Sequence, residues 1–195
     1  MSKGVKILVA SDAHIHDRAD EVPPKLLEII ESEKPFDIAV YAGDFTDEDV
    51  YRWFRTLGRA VYVVEGNMDY LSLPEHETFM HPIAPIRFGV IHGHQVRPRG
   101  NIVQLTEIAK RLGVNVLISG HTHSPLIRVF ENVLHLNPGS LTGAWGGGGG
   151  SGIPSMMIVI LYENGLEVKL IELKGGSISE KVHRFVYRGG SWIEV

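Results

Sequence analysis

Residues 7–14 read Ile7-Leu8-Val9-Ala10-Ser11-Asp12-Ala13-His14, a short apolar run that stops in a polar cluster holding a carboxylate and an imidazole two residues apart. A run this short is below the length of an ordinary helix, and its unbroken apolar character suits a strand buried on both faces. The construction recurs along the chain. Residues 38–41 run into Ala42-Gly43-Asp44, 61–64 into Glu65-Gly66-Asn67, 88–91 into His92-Gly93-His94, and 114–118 into Ser119-Gly120-His121-Thr122-His123. Helical spacing fills the gaps between these runs. Leu26, Leu27, Ile29 and Ile30 follow Pro23-Pro24; Val50, Trp53, Phe54 and Leu57 repeat at i, i+3, i+4, i+7; Leu105, Ile108, Ala109 and Leu112 do the same and end at Gly113. Thr46 is the expected N-cap of the second helix, with Asp47, Glu48 and Asp49 near the positive end of its dipole, and Gly113 is the expected left-handed C′ residue of the third. Strands alternating with helices predict βαβ crossovers and a largely parallel sheet, whose C-terminal strand ends form the usual ligand crevice. Beyond His123 the segments 126–130, 133–136, 156–162, 166–173 and 182–187 read as successive strands joined by turn residues, so a second, more antiparallel sheet is expected.

Composition narrows the chemistry. The chain has 195 residues, which predicts a single domain over 1–195 with an ordinary core. It has no Cys and ten His, so a bound metal must be held by nitrogen and oxygen; disulfides, thiolate zinc and a cysteine nucleophile are excluded. A net charge of −4 has the wrong sign for a protein whose main task is covering nucleic-acid phosphates. No apolar run approaches the length of a membrane span or a signal peptide, and a cytoplasmic protein is expected. The glycine run 146–150 reads as a mobile connector or, alternatively, as a lid beside the polar edge.

The polar residues delivered to that edge are Asp12, His14, Asp44, Asn67, His92, His94, His121 and His123. Carboxylate, imidazole and amide donors together suit Mn, Fe, Zn, Co or Ni, whereas Mg or Ca would call for a mostly oxygen site. The i, i+2 pairs Asp12/His14 and His121/His123, just past a strand, let two side chains leave one side, to share a metal or to split between two. His16, His76, His81, His135 and His183 have no companion motif and read as ordinary residues. Arg97 and Arg99 read as solvated surface arginines or, alternatively, as partners of an anionic substrate group, and Trp145 either caps a base or apolar group or simply packs.

These blocks, Asp12-x-His14, Gly43-Asp44, Gly66-Asn67, His92-Gly93-His94 and Gly120-His121-x-His123, resemble the ordered signature of the calcineurin-like metallophosphoesterases over about residues 5–140. The resemblance implies an α/β fold, a four-layer sandwich of two mixed β-sheets flanked by helices. It also implies a dinuclear centre: one divalent metal on Asp12, His14, Asp44 and His123, a second on Asp44, Asn67, His92 and His121, with Asp44 bridging. The expected reaction is phosphodiester hydrolysis by a hydroxide bridging two ions, manganese first, with Ni, Fe, Co or Zn as the other candidates. Asn67 and His94 are the expected catalytic contributors, His94 either binding phosphate or protonating the leaving oxygen, with support of the ligands from behind as its alternative. Many members carry His directly after the Gly-Asn pair, and here that position is Met68, which points to slow turnover or a need for good leaving groups. The His92 block and residues 137–144 also resemble the small subunit of eukaryotic retromer, a scaffold on the same fold. The competing expectation is therefore a binding module with a protein partner, or a homo-oligomer, and weak or no catalysis.

Overall fold

A computed structural model describes residues 4–195; Met1 to Lys3 lie outside the described residues. The chain runs β1 (Val5–Ala10), α1 (Pro24–Glu33), β2 (Phe36–Tyr41), α2 (Glu48–Phe54), β3 (Gly58–Val63), β4 (His76–Met80), β5 (Arg87–Ile91), α3 (Ile102–Leu112), β6 (Val116–Ser119), β7 (Leu126–Phe130), β8 (Val133–Asn137), β9 (Ser155–Tyr162), β10 (Gly165–Lys174), β11 (Ser177–Arg188) and β12 (Ser191–Glu194). These strands form two sheets, β12-β11-β10-β9-β1-β2-β3 and β4-β5-β6-β8-β7. Both are mixed. β1, β2 and β3 pair in parallel while β9 joins β1 antiparallel, and β5, β6 and β8 pair in parallel while β4 and β7 close the edges antiparallel. Among the described residues no helix is long and apolar enough to cross a membrane.

The alternation of side chains along each central strand explains the unbroken apolar runs. Ile7 and Val9 of β1 face the second sheet and pack with Val40, Phe88, Ile118 and Val159, whereas Leu8 and Ala10 face outward onto Leu26 and Ile30 of α1 and Phe54 of α2. α3 covers the outer face of the smaller sheet, setting Leu105 and Ala109 against Ile91 and Leu117. A strand covered on both faces has no solvent side on which to carry polar residues. The four layers are therefore helices, sheet, sheet, helix.

Three sequence expectations need correction. The five motif-bearing strands do not share one sheet: β1, β2 and β3 lie in the larger and β5 and β6 in the smaller, while β9 to β12 extend the larger sheet instead of building a separate one. Periodicity reports that both faces of a strand are covered, not which sheet the strand joins. The N-cap of α2 is Asp47, whose carboxylate accepts from the amides of Asp49 and Val50 at 2.8 and 3.1 Å. Thr46 sits at φ 62° and sends its hydroxyl to the Ile15 carbonyl instead. Strands β4 and β12 escaped the pattern because they lie at sheet edges and bury little, Phe79 in one and Trp192 in the other. Gly113 does close α3 in the left-handed conformation, at φ 66°.

His135 on β8 lies in the interior, 1% exposed, with Nε2 2.8 Å from the Thr106 hydroxyl. That hydroxyl also donates to the Ile102 carbonyl, so Nε2 carries the ring proton and donates, leaving Nδ1 as a bare acceptor without a partner. Burial, helped by the Arg128 charge, lowers its pKa from 6.5 to about 4. The unfolded chain therefore binds more protons between those values, so stability is full above pH 6.5 and is lost as pH falls toward 4. For the metal-free protein the loss from this residue is about 3 kcal/mol. Urea midpoints measured from pH 7 to pH 4 will fall less in His135→Gln than in the unaltered protein; parallel curves would contradict it.

Candidate metal centre

The loops after β1, β2, β3, β5 and β6 meet at one end of the sandwich, across the gap between the sheets. The chain must turn sharply to aim several side chains from each loop at one point. Asp12, His14, Asp44, His121 and His123 all adopt the left-handed region, with φ of 54°, 47°, 59°, 67° and 56°. Each such conformation costs a non-glycine residue on the order of 1–3 kcal/mol, so the surroundings must hold it. The segment after β8 does so for the first loop. Ser140 donates to the Asp12 carbonyl at 2.7 Å and Thr142 to that of Ala13 at 2.6 Å, while Asn137 at the end of β8 donates through Nδ2 to the Gly120 carbonyl in the loop after β6 at 2.8 Å. Asp69 does the same between β2 and β3: its carboxylate accepts from the amides of Asp44, Thr46 and Gly66 at 2.9, 2.9 and 2.8 Å. Gly120 gives close approach, since a Cβ there would stand 2.6 Å from Asp12 Oδ2 and 2.8 Å from the Ala42 carbonyl.

The donor atoms fall into two groups with Asp44 in both. Asp12, His14, Asp44 and His123 each offer an atom within 4.8 Å of the others, and all four residues are buried. His14 Nε2 lies 3.1 Å from Asp44 Oδ2 and 3.3 Å from His123 Nε2, which is 3.2 Å from Asp12 Oδ1. On the other side, His92 Nε2 lies 3.3 Å from Asp44 Oδ2, 3.1 Å from Asn67 Oδ1 and 3.2 Å from His121 Nδ1. Backbone carbonyls set the tautomers. His92 Nδ1 donates to Ala42 and His123 Nδ1 to Ala144, both at 2.7 Å, so whenever the ring is neutral, as it must be to ligate a metal, its Nε2 turns a lone pair into the cluster. Ring nitrogens facing each other with lone pairs, beside two carboxylates, fit a bound cation.

The charges of the metal-free site follow from this geometry. Burial works to raise the Asp44 carboxyl, but hydrogen bonds from His14 and His92 and the His92 charge outweigh it and hold the group far below the usual carboxylate range. Burial works to lower His92; its hydrogen bond to Asp44 and the charges of Asp12 and Asp44 prevail and raise it to about 9. His121 has no such relief. Burial, then the charges of His92 and Arg99, lower it to about 3.

The sequence-predicted residues outside this cluster have distinct places. His94 is half-buried beside His92 and His121, with ring centroids 5.6 and 6.3 Å away, and burial together with the His92 charge lowers its pKa. Met68, directly after the Gly66-Asn67 pair, offers its amide to Asp44 Oδ1 at 2.8 Å. Arg99, read from sequence as a solvated arginine, is instead partly buried, donating to the His121 carbonyl and lying 3.4 Å from His121 Nδ1. Residues 146–150 fold into a small turn, Gly146 and Gly149 exchanging two backbone bonds at 2.9 and 3.0 Å. That turn lies against His123 and Arg99: a Cβ at Gly146 would stand 3.2 Å from His123 Cγ, and one at Gly148 2.9 Å from Arg99 Cδ. Sequence reasoning missed Arg18, which no motif announces; its guanidinium reaches the Trp145 carbonyl beside this site.

Two mixed sheets covered by helices, with strand-end loops carrying buried imidazoles and carboxylates to one point, define an α/β-sandwich protein with a metal-binding site. The chain belongs to the calcineurin-like phosphoesterase superfamily, whose domain matches residues 5–161. A probable metallophosphoesterase of Methanocaldococcus jannaschii is 43% identical over 134 residues, 69% of this chain and 67% of that one. Among solved structures, vacuolar protein sorting 29 of Cryptosporidium parvum superposes with a TM-score of 0.89 at 25% identity, covering 95% of this chain and 100% of that chain. Wild-type Vps29 of Entamoeba histolytica, solved in complex with zinc, gives 0.84 at 29% identity, covering 92% and 98%.

Proposed function

We propose that the protein is a metal-dependent phosphoesterase that prefers phosphodiesters, with Asp12, His14, Asp44 and His123 holding one divalent ion and Asp44, Asn67, His92 and His121 a second. The observation that carries this reading is the shared carboxylate: Asp44 Oδ2 lies 3.1 Å from His14 Nε2 and 3.3 Å from His92 Nε2, one from each group. Two bound ions, manganese being the first candidate, would supply a hydroxide nucleophile and positive charge for the phosphoryl oxygens. The chain's own residues supply aim and exclusion of water. Ala42 and Ala144 orient His92 and His123, Met68 and Asp69 fix Asp44, and Asn67 presents its amide oxygen to His92.

The environment of His94 favours one of its two roles. A half-buried imidazole whose pKa is lowered by burial and by a neighbouring cation is neutral near pH 7, and bound metal ions push it further the same way. That favours a hydrogen-bond partner of a phosphate oxygen over the acid that protonates the leaving group. With Met68 in place of a second imidazole, the leaving oxygen has no protein acid at this position, which favours esters with stabilised leaving groups.

The test is metal reconstitution. Protein stripped by chelation and reloaded with Mn2+ or Ni2+ is expected to hydrolyse bis(p-nitrophenyl) phosphate faster than p-nitrophenyl phosphate, and the stripped protein neither. Turnover that ignores the metal, or none with any ion of the Mn–Zn set, would sink the reading.

A scaffold reading draws on the likeness to Vps29 and on the exposed apolar residues Ile178, Val182 and Ile193 at the outer end of the larger sheet. Glu180 and Arg184 alternate with these on β11, so the apolar strip is interrupted by charge. The intact donor set favours the enzyme.

A further inference from the structure

Trp145 follows Ala144, whose carbonyl holds His123, and its side chain is 65% exposed. An indole this exposed gives up the burial its size would ordinarily secure. It is nevertheless held firmly. The Arg18 guanidinium lies 4.3 Å from the ring centroid and its Nη1 donates to the Trp145 carbonyl at 3.0 Å. Arg18 is fixed in turn by Asp17, 3.0 Å from its Nε, and that same carboxylate lies 3.5 Å from His14 Nδ1. On the other side of Trp145 the closed Gly146–Gly149 turn anchors the chain, and Ser151 N bonds the His123 carbonyl at 3.0 Å. The segment carrying the indole is thus bonded to one member of the metal cluster, His123, through the Ala144 carbonyl, and the Arg18 under the ring pairs with Asp17, which lies beside a second, His14. With Arg18 against one face, its exposure comes from the remaining face and edge.

We propose that Trp145, backed by Arg18, is a stacking platform for an aromatic group on an ester arm of the substrate, an aryl ring or a nucleobase, while the phosphate occupies the metal centre. Stacking on a pre-ordered indole gains affinity for any flat ring regardless of its hydrogen-bonding pattern. Arg18 beneath the ring polarises it and adds positive charge near an anionic ester. The inference rests on the phosphoesterase reading and names the class of substrate that site takes.

Two phosphonates whose carbon–phosphorus bond the proposed reaction does not cleave, phenylphosphonate and methylphosphonate, separate the platform from the phosphate site. Calorimetric titration of the Mn2+-loaded full chain is expected to give phenylphosphonate a Kd about tenfold tighter than methylphosphonate. In Trp145→Ala the ratio should fall to near one with the loss confined to phenylphosphonate, and Trp145→Phe should recover most of it. A ratio unchanged in Trp145→Ala, or an equal loss for both ligands, overturns the platform while leaving the metal site standing. If neither phosphonate binds the unaltered protein, the phosphoesterase reading fails and the platform fails with it.

Discussion

Asp44→Asn is expected to lower metal-dependent hydrolysis of bis(p-nitrophenyl) phosphate by at least about a thousandfold, more than loss of a single transition-state donor ordinarily costs. The reason is that the Asp44 carboxylate lies against an imidazole nitrogen from each group of donors, His14 and His92. It is 2% exposed, and the Met68 and Asp69 interactions fix its position. An amide of the same shape keeps the packing but loses the charge and presents an NH2 to at least one imidazole lone pair. Both proposed ions then lose a ligand at once. A readout independent of turnover follows from linkage. Saturating Mn2+ at about a hundred times its Kd stabilises a folded protein by about 2.7 kcal/mol, which for a chain of this size raises Tm by about 5–10 °C. The unaltered protein should show that rise and Asp44→Asn should show almost none. A variant that keeps both the thermal shift and the turnover would remove Asp44 from the centre.

The parts of the site legible in the sequence are those where the chemistry and the strand-ending pattern coincide. Asp12, His14, Asp44, Asn67, His92, His121 and His123 each follow an apolar run, and a buried strand cannot tolerate such groups until it ends. What the pattern could not carry is long-range. Asp69 is one more acid in a loop until its carboxylate is seen bridging the amides of Asp44, Thr46 and Gly66. Arg99 looked like surface because its neighbours in sequence are polar, and only the fold brings the His121 carbonyl to it. The sheet assignment failed for the same reason, since β3 and β5 carry the same kind of pattern yet belong to different sheets. The glycine run is a further case. Composition alone suggested looseness, whereas Gly146, Gly148 and Gly150 lie where a Cβ would press on His123 or Arg99, so the absence of side chains lets the turn lie close to the centre.

Gly66→Ala should damage the site almost as badly through space alone. Gly66 is not among the glycines at positive φ, so alanine meets no backbone penalty there. The obstacle is Asp44: a Cβ at position 66 would fall upon its Oδ1 and backbone nitrogen and within 2.8 Å of its Cγ. Neither side can yield freely. The Gly66 amide is bonded to Asp69 Oδ2 at 2.8 Å, the same oxygen takes the Asp44 amide at 2.9 Å, and the Asp44 carboxylate is enclosed by His14 and His92. Forcing a methyl group into a filled space of this kind costs about 1–3 kcal/mol, equivalent to a fall in Tm of several degrees. Displacement of a shared ligand by about 1 Å is enough for a hundredfold loss of turnover. The expected result is a protein that still melts cooperatively when metal-free, at a lower Tm, but binds less Mn2+ at a given concentration and hydrolyses the diester at least about a hundred times more slowly. Unimpaired Mn2+ binding and turnover in Gly66→Ala would mean that the loop after β3 can move away from Asp44 without cost. In that case the tight junction of Asp44, Gly66 and Asp69 would not be what positions the shared carboxylate.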